Sequence, residues 1–93
     1  MIRSFKDHDT GRIFQGLNVK KFSVKLCRQA QRKLLMIHAS LSVRDLRIPP
    51  GNRLEKLAGK KDTYSIRIND QWRVRFVWCD GHADSVEVVD YHL

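Results

Sequence analysis

Two kinds of hydrophobic pattern divide the chain near its middle. From Cys27 to Leu41 the apolar residues recur every three or four positions, which predicts an amphipathic helix with one buried stripe and with Ser23 as its N-cap. The earlier stretch "DTGRIFQG" predicts a brief helical segment that ends at Gly16. A capping signal in "SVRD", which starts at Ser42, predicts one further turn of helix.

After "IPPGN", whose prolines cannot continue a helix, the pattern changes to alternation. "RLEKL" predicts a short first strand, and "YSIRIN" and "QWRVRFVW" each alternate apolar with polar side chains. "SVEVVD" predicts a last strand after an Asp-Gly turn. The fold class predicted is α+β, in a single domain over residues 1–93: two to three N-terminal helices packed on one face of a four-stranded, mainly antiparallel sheet.

The alternation also predicts how the second and third strands pair. Keeping the apolar residues of both strands on one face sets Ile68 opposite Trp72, so Arg67 lies opposite Arg73. Two like charges directly across strands are unfavourable by up to about 1 kcal/mol. With no partner for both arginines evident on that face, we expect a bound phosphate there and expect Arg73 to point away from the core. The alternative is that both arginines extend into water.

The last hairpin is predicted from the same rule. A three-residue turn at positions 80–82 keeps the valines of the last strand in the core. It places Glu87 opposite Arg75, and it brings Tyr91 onto the side of the sheet that carries Arg67, Arg73 and Arg75, called the arginine face below.

The charge of the chain is strongly uneven. Eighteen Lys and Arg against ten Asp and Glu give a net charge of +8, and residues 1–61 carry fifteen basic and four acidic side chains. Such a basic surface is typical of a protein that binds nucleic acid or an acidic protein. The alternative is a solvated surface that confers only solubility.

Several classes of protein are disfavoured by what the sequence contains. No run approaches the ~20 apolar residues that a membrane helix needs, and the start "MIRSFKDHD" is too polar for a signal peptide. We therefore expect a cytoplasmic protein with no membrane partner. Cys27 and Cys79 show no CxxC spacing and the four histidines form no HxxxH or HExxH pair, so no metal site and no cofactor are expected.

The polar residues that this fold gathers are suited to metal-independent RNA cleavage. In that reaction one group deprotonates the ribose 2′-hydroxyl, arginines stabilise the phosphorane, and another group protonates the leaving oxygen. His92 is the natural candidate for proton transfer, Glu55 or Asp90 could act as base or orient it, and Tyr91 could stack on a base or donate a proton. Taken alone, a terminal histidine beside a carboxylate is more often a solvated chain end. The candidate catalytic residues are Arg73, Asp90, Tyr91, His92 and Glu55.

Four stretches resemble one known family. "MIRSF", "PPGNRLEKLAG", "YSIRINDQWRVRFVW" and "VEVVDYH" together resemble HigB-type toxins, also called host-inhibition or killer proteins, of the RelE/ParE superfamily. The resemblance implies a RelE-like microbial ribonuclease fold and a ribosome-dependent mRNA endoribonuclease that acts in the ribosomal A site and stops translation. It also implies neutralisation by a HigA-type helix-turn-helix antitoxin, contacts with ribosomal RNA, and operator DNA as an indirect partner through the toxin–antitoxin complex.

The resemblance also assigns residues by position. Arg73 matches the phosphate-stabilising arginine, and the DYH end matches the family's terminal acid, tyrosine and histidine. The chain departs from some members at Glu55 and Ala58, where those carry a histidine and a lysine, so the general base is left open. The residues expected to bind RNA are Arg67, Arg75, Lys56, Lys60, Lys61 and Asn52.

Two other functions stay open at this point. A non-cleaving inhibitor of an acidic target, such as gyrase in the ParE-like branch, would need the basic surface but no proton-transfer groups. A decayed toxin that retains only antitoxin binding is suggested by Ala58, which lacks the charge of the lysine found in some relatives.

Overall fold

The computed structural model describes residues 1–91, and its two α-helices start at polar caps. Helix α1 spans His8–Phe14, and the Asp7 side chain accepts a hydrogen bond from a backbone N–H of its first turn. Helix α2 spans Val24–Ala39, and Ser23 caps it in the same way. A side-chain oxygen at this position satisfies one of the backbone donors that a helix start leaves unpaired. The prediction of Ser23 as the N-cap is confirmed.

The buried stripe of α2 is shorter than predicted. Leu41 was expected to continue the stripe, but α2 ends at Ala39 and Leu41 is 87% exposed. The chain turns away because the Asp45 carboxylate accepts hydrogen bonds from the backbone N–H groups of Leu41 and Ser42 and caps a 3-10 turn at Val43–Arg47. That turn confirms the predicted further turn of helix. The buried residues of α2 are Leu26, Cys27, Ala30, Leu34 and Ile37.

Four strands form one antiparallel sheet in the order β1-β2-β3-β4. Strand β1 is Glu55–Lys56, β2 is Thr63–Arg67, β3 is Trp72–Cys79 and β4 is His82–Asp90. The first strand is thus two residues long rather than the five of "RLEKL". Both helices pack on one face of the sheet, so the predicted α+β architecture is confirmed.

The free edge of β4 is covered by the start of the chain. Ile2 and Phe5 form parallel bridges with Ala83 and Val86. The backbone of Lys6 also donates to the Val86 carbonyl oxygen at 2.9 Å. This pairing protects a strand edge that would otherwise present unpaired backbone groups.

The predicted strand register is confirmed around the arginines. Arg67 lies opposite Arg73. Arg75 lies opposite Ser65 on one side and Glu87 on the other. The arginine face is therefore the side of the sheet away from the helices, as the alternation predicted.

The last turn differs from the prediction, although the register beyond it does not. Cys79 pairs with His82, so the turn has two residues at 80–81 rather than three, and both have a positive φ, 52° and 78°, as a type I′ turn requires. The turn is one residue shorter than predicted, and β4 contains one extra residue, in a bulge. There Ser85, with φ 52°, and Val86 together face Phe76.

Candidate functional site

Arg73 lies at the centre of the arginine face and is almost enclosed, with 6% of its surface exposed. Its Nε donates to Ser65 Oγ at 2.9 Å, and its Nη2 donates to the carbonyl oxygens of Arg53 at 2.5 Å and Ser65 at 3.2 Å. Nη1 lies 4.0 Å from Glu55 Oε1, beyond hydrogen-bond distance. The guanidinium is therefore held on two sides and keeps its Nη1 edge for another partner.

This burial corrects one expectation from the sequence. Arg73 does lie on the face away from the helices, but it has protein partners and is not open to water. The reason is the chain before β1: Arg53 adopts a left-handed conformation with φ 44°, and its carbonyl oxygen meets the guanidinium of Arg73. No sequence pattern predicts where a single carbonyl oxygen will lie.

Burial also sets the electrostatics of Arg73. It lowers the pKa of the guanidinium from its ordinary value, and the charge of Glu55 acts in the opposite direction. An arginine remains charged at neutral pH, since its ordinary pKa is above about 12. A charge that is shielded from water interacts more strongly with a nearby anion than an exposed one does. An anion placed beside Nη1 of Arg73 would therefore interact with it more strongly than with an exposed arginine.

Tyr91 lies over this arginine. The Cζ atom of Arg73 is 5.3 Å from the centroid of the Tyr91 ring, within the range of a cation–π contact. The Tyr91 backbone N–H donates to the Gln71 carbonyl oxygen at 2.6 Å and extends the strand pairing by one residue. The register prediction that Tyr91 reaches the arginine face is confirmed.

A cleft of about 380 Å³ opens beside these two residues. Three guanidinium groups and one carboxylate line it, so it is positively charged. Arg67 forms an ion pair with Asp70, which supplies the partner that the sequence reasoning did not find. The Asp70 side chain is fully exposed, and such exposed pairs contribute only about 0–1 kcal/mol, so an incoming phosphate can compete for Arg67. The lining residues are Arg53, Arg67, Asn69, Asp70, Arg73 and Tyr91.

Two other candidate catalytic residues, Glu55 and Asp90, do not line the cleft. Glu55 is opposite Ser65, on the arginine face, and its side chain is 53% exposed. Asp90 is opposite Trp72 and accepts a hydrogen bond from Gln71 Nε2 at 3.2 Å. Because strand side chains alternate, Asp90 leaves the sheet on the side opposite to Tyr91. His92 lies outside the described residues.

Arg75 forms an ion pair of its own and does not line the cleft beside Arg73. Its Nη2 lies 3.0 Å from Glu87 Oε2, and Lys6 Nζ approaches the same oxygen at 3.4 Å. This pairing was predicted from the register. The three residues line a second cleft on the arginine face, together with Lys60. Arg75 therefore marks a different part of the basic surface from Arg73.

The lysines expected to bind RNA lie on β1 and the loop that follows it. Lys56 is exposed opposite Tyr64, with its Nζ 5.9 Å from the centroid of that ring. Lys60 and Lys61 are exposed in the loop between β1 and β2. Lys60 lines the second cleft on the arginine face, whereas Lys56, opposite Tyr64, leaves the sheet on the other side. None of the three lysines lines the first cleft.

Asn52 is placed in the interior, away from any surface that RNA could reach in this conformation. It is fully buried; its Nδ2 donates to the Leu46 carbonyl oxygen at 3.2 Å and its Oδ1 accepts from Lys33 Nζ at 2.6 Å. Burial and the nearby charge of Arg67 lower the pKa of Lys33. Asn52 thus fixes the loop that carries Arg53 to the cleft.

Sequence reasoning missed Arg53, Asn69 and Lys33. Arg53 is the first residue of the predicted strand "RLEKL", and a basic residue two positions before Glu55 was the available signal. Lys33 lies outside the buried stripe of α2, and helical periodicity alone could not show its contact with a loop residue.

Within residues 1–91, no three His, Cys, Asp or Glu side chains come close enough to ligate a metal together. No helix in that range is both long and apolar enough to cross a membrane.

The α+β fold is consistent with a RelE-like architecture, and comparison with known proteins agrees. The family model described as the RelE-like toxin of the type II toxin-antitoxin system HigB matches residues 3–92. The chain therefore belongs to the HigB-like toxin family.

Two known proteins are similar to this chain. Toxin HigB-1 of Vibrio cholerae is 53% identical over 53 residues, which is 56% of this chain and 56% of that toxin, so the match spans only about half of its length. An uncharacterized protein of Haemophilus influenzae is 42% identical over 84 residues, which cover 88% of this chain and 83% of that protein.

Proposed function

We propose that this toxin is a ribosome-dependent mRNA endoribonuclease that inhibits translation. The observation that carries the proposal is the cleft in which Arg67 and Arg73 face each other across two strands, with Arg53 beside them and Asp70 as the one carboxylate among its described lining residues. A cluster of guanidinium groups around such a cleft is suited to the charge of a scissile phosphate.

The reaction that fits these groups is attack by the ribose 2′-hydroxyl. A base removes the hydroxyl proton, O2′ bonds to phosphorus, the bond from phosphorus to O5′ breaks, and an acid protonates O5′. The products are a 2′,3′-cyclic phosphate and a 5′-hydroxyl. Arg73 would stabilise the phosphorane through its Nη1 edge, and Arg67 would bind a non-bridging oxygen after its exchange with Asp70.

The proton-transfer groups are proposed from the residues around the cleft. Glu55 is on the same face as Arg73, so it is the candidate base on the described part of the chain. His92 is proposed as the acid, with Asp90 beside it in sequence. Tyr91, which already stacks on Arg73, would stack on a base of the mRNA.

The partners follow from the family and from the charge. We propose that a HigA-type antitoxin neutralises the toxin, and that the complex reaches operator DNA through the antitoxin. The basic residues outside the cleft are proposed to contact ribosomal RNA in the cytoplasm: Arg75, Lys56, Lys60 and Lys61.

Primer extension on mRNA from cells that express the toxin tests this function. Wild-type toxin should produce new RNA ends inside translated codons and none in untranslated RNA. Arg67→Ala should remove these ends, whereas Arg44→Ala, which changes an exposed arginine away from the cleft, should retain them. Intact mRNA with an induced DNA-damage response would instead support a non-cleaving inhibitor.

A further inference from the structure

Helix α2 carries an unusual distribution of charge. It contains no acidic residue, and its exposed side presents Lys25, Arg28 and Arg32. None of these three cations forms an ion pair with any residue in the range 1–91. Lys25 lies in the first turn, where the helix dipole disfavours positive charge. Within this range no ion pair thus compensates the positive charge on this face of the helix.

The acidic residues of the first 61 positions are all engaged elsewhere. Asp7 caps α1 and Asp45 caps the 3-10 turn. Asp9 pairs with Lys21 at 3.4 Å, and Glu55 lies near Arg73. No carboxylate from this part of the chain is therefore placed to neutralise α2.

Apolar side chains lie among these cations. Val24 is 49% exposed and Leu35 is 48% exposed; eleven positions apart, they fall on nearly the same side of the helix, with Arg28 between them. Leu17, 47% exposed, lines a small hollow with Arg28. Large apolar residues gathered on an exposed surface are typical of a protein interface.

We infer that this outer face of α2, formed by Val24, Arg28, Arg32 and Leu35 with Leu17 beside it, docks an acidic amphipathic segment of the antitoxin. The inference rests on the proposed function only in taking the antitoxin as the partner. Acidic side chains on such a segment would pair with the arginines, and its apolar side chains would cover Val24 and Leu35.

Two other occupants fit the surface less well. A second copy of this chain would bring the same cations together across a two-fold axis, which repels. RNA would pair with the arginines but would leave the apolar side chains without a matching surface. An acidic amphipathic protein segment satisfies both features at once.

The test is the affinity for the protein encoded beside the toxin gene, measured by calorimetric titration with purified proteins. The variant is Arg28→Glu with Arg32→Glu, and the matched control is Arg44→Glu with Arg47→Glu, which makes the same change in net charge on exposed arginines of the 3-10 turn. We expect the dissociation constant to rise about 30-fold or more in the α2 variant and less than about threefold in the control.

A variant of the apolar part separates this face from general electrostatics. Leu35→Ser should weaken binding about tenfold without changing net charge. Thermal unfolding of each variant shows whether the fold is retained, and the substitutions at Arg28 and Arg32 should not harm it, because both side chains are exposed.

The outcomes are distinct. Unchanged affinity in the α2 variant, or an equal loss in the control, would overturn the inference. So would a loss of ribosome binding with antitoxin binding intact, which would assign the face to RNA. Cleavage of mRNA is scored separately: if wild type does not cleave but the α2 variant loses its antitoxin, the inference stands and the proposed function falls.

Discussion

Arg73 and Arg67 face each other across two strands, yet the structure predicts different consequences when each is replaced by alanine. Arg73 is buried and makes three hydrogen bonds to Ser65 and Arg53. Arg67 is partly exposed and pairs only with the exposed Asp70. Both substitutions remove a cation from the proposed phosphate site, so both should abolish mRNA cleavage. Only Arg73→Ala should also cost substantial stability.

The magnitude follows from the groups left behind. Removing Arg73 leaves two carbonyl oxygens and one hydroxyl without their donor, at about 1 kcal/mol each, so the free energy of unfolding should fall by about 3 kcal/mol. Removing Arg67 breaks an exposed ion pair and should cost about 0–1 kcal/mol. A small domain has about 5–15 kcal/mol in total, so the first loss is a large fraction.

Urea denaturation followed by circular dichroism measures this difference. With a urea dependence of about 1.5 kcal/mol per M, the midpoint of Arg73→Ala should lie about 2 M below wild type, and that of Arg67→Ala within about 0.7 M of it. Arg73→Lys, which keeps a charge but not the planar fork, should fall between them. Equal midpoints for both alanine variants would refute the assignment of Arg73 as a structural anchor.

Three further outcomes are expected. Tyr91→Phe keeps the ring over Arg73, so the unfolding midpoint should not change. A cleavage rate lowered about 10- to 100-fold in this variant would show that the hydroxyl takes part in the reaction, and an unchanged rate would limit Tyr91 to stacking. Hydrogen bonds from backbone N–H groups lower the pKa of Asp45, so its stabilising effect is present above about pH 4 and is lost as pH falls through the lowered pKa. The difference in unfolding midpoint between wild type and Asp45→Asn should therefore shrink from about pH 7 to about pH 2. A constant difference would contradict this. Lys25→Glu places a carboxylate in the first turn of α2 and should raise stability by about 0.3–1 kcal/mol in thermal unfolding, and a lower midpoint would argue against an uncompensated helix start.

Local sequence patterns predicted much of the fold because the same alternating residues indicated both where the strands lie and how they pair. The alternation around Arg67 and Arg73 predicted both the sheet and its register, since a slip of one residue would expose every apolar side chain. The last hairpin shows the limit of that rule. A shorter turn and a bulge at Ser85 together give the register that a longer turn would have given, and the apolar pattern cannot distinguish the two.

The site was less predictable because it depends on the path of an irregular segment. The positions of Arg53 and Asn52 follow from a 3-10 turn and a left-handed residue before β1. Neither feature produces a repeating pattern of apolar residues that the sequence would show. Asn52 resembled a surface residue in a polar stretch, yet its amide is fully used in the interior. Burial of Arg73 follows from the same segment, so it could not be read from β3 alone.

The most direct test of the central claim is the chemistry of the cut RNA. Purified toxin should cleave mRNA on programmed ribosomes and leave a 5′-hydroxyl, which polynucleotide kinase labels without prior dephosphorylation, and a 2′,3′-cyclic phosphate. A single 2′-deoxy substitution at the cleaved nucleotide should block the reaction, and Arg67→Ala should reduce it about 100-fold or more. Products with 5′-phosphates, or cleavage that persists at the deoxy position, would contradict attack by the 2′-hydroxyl in the arginine cleft.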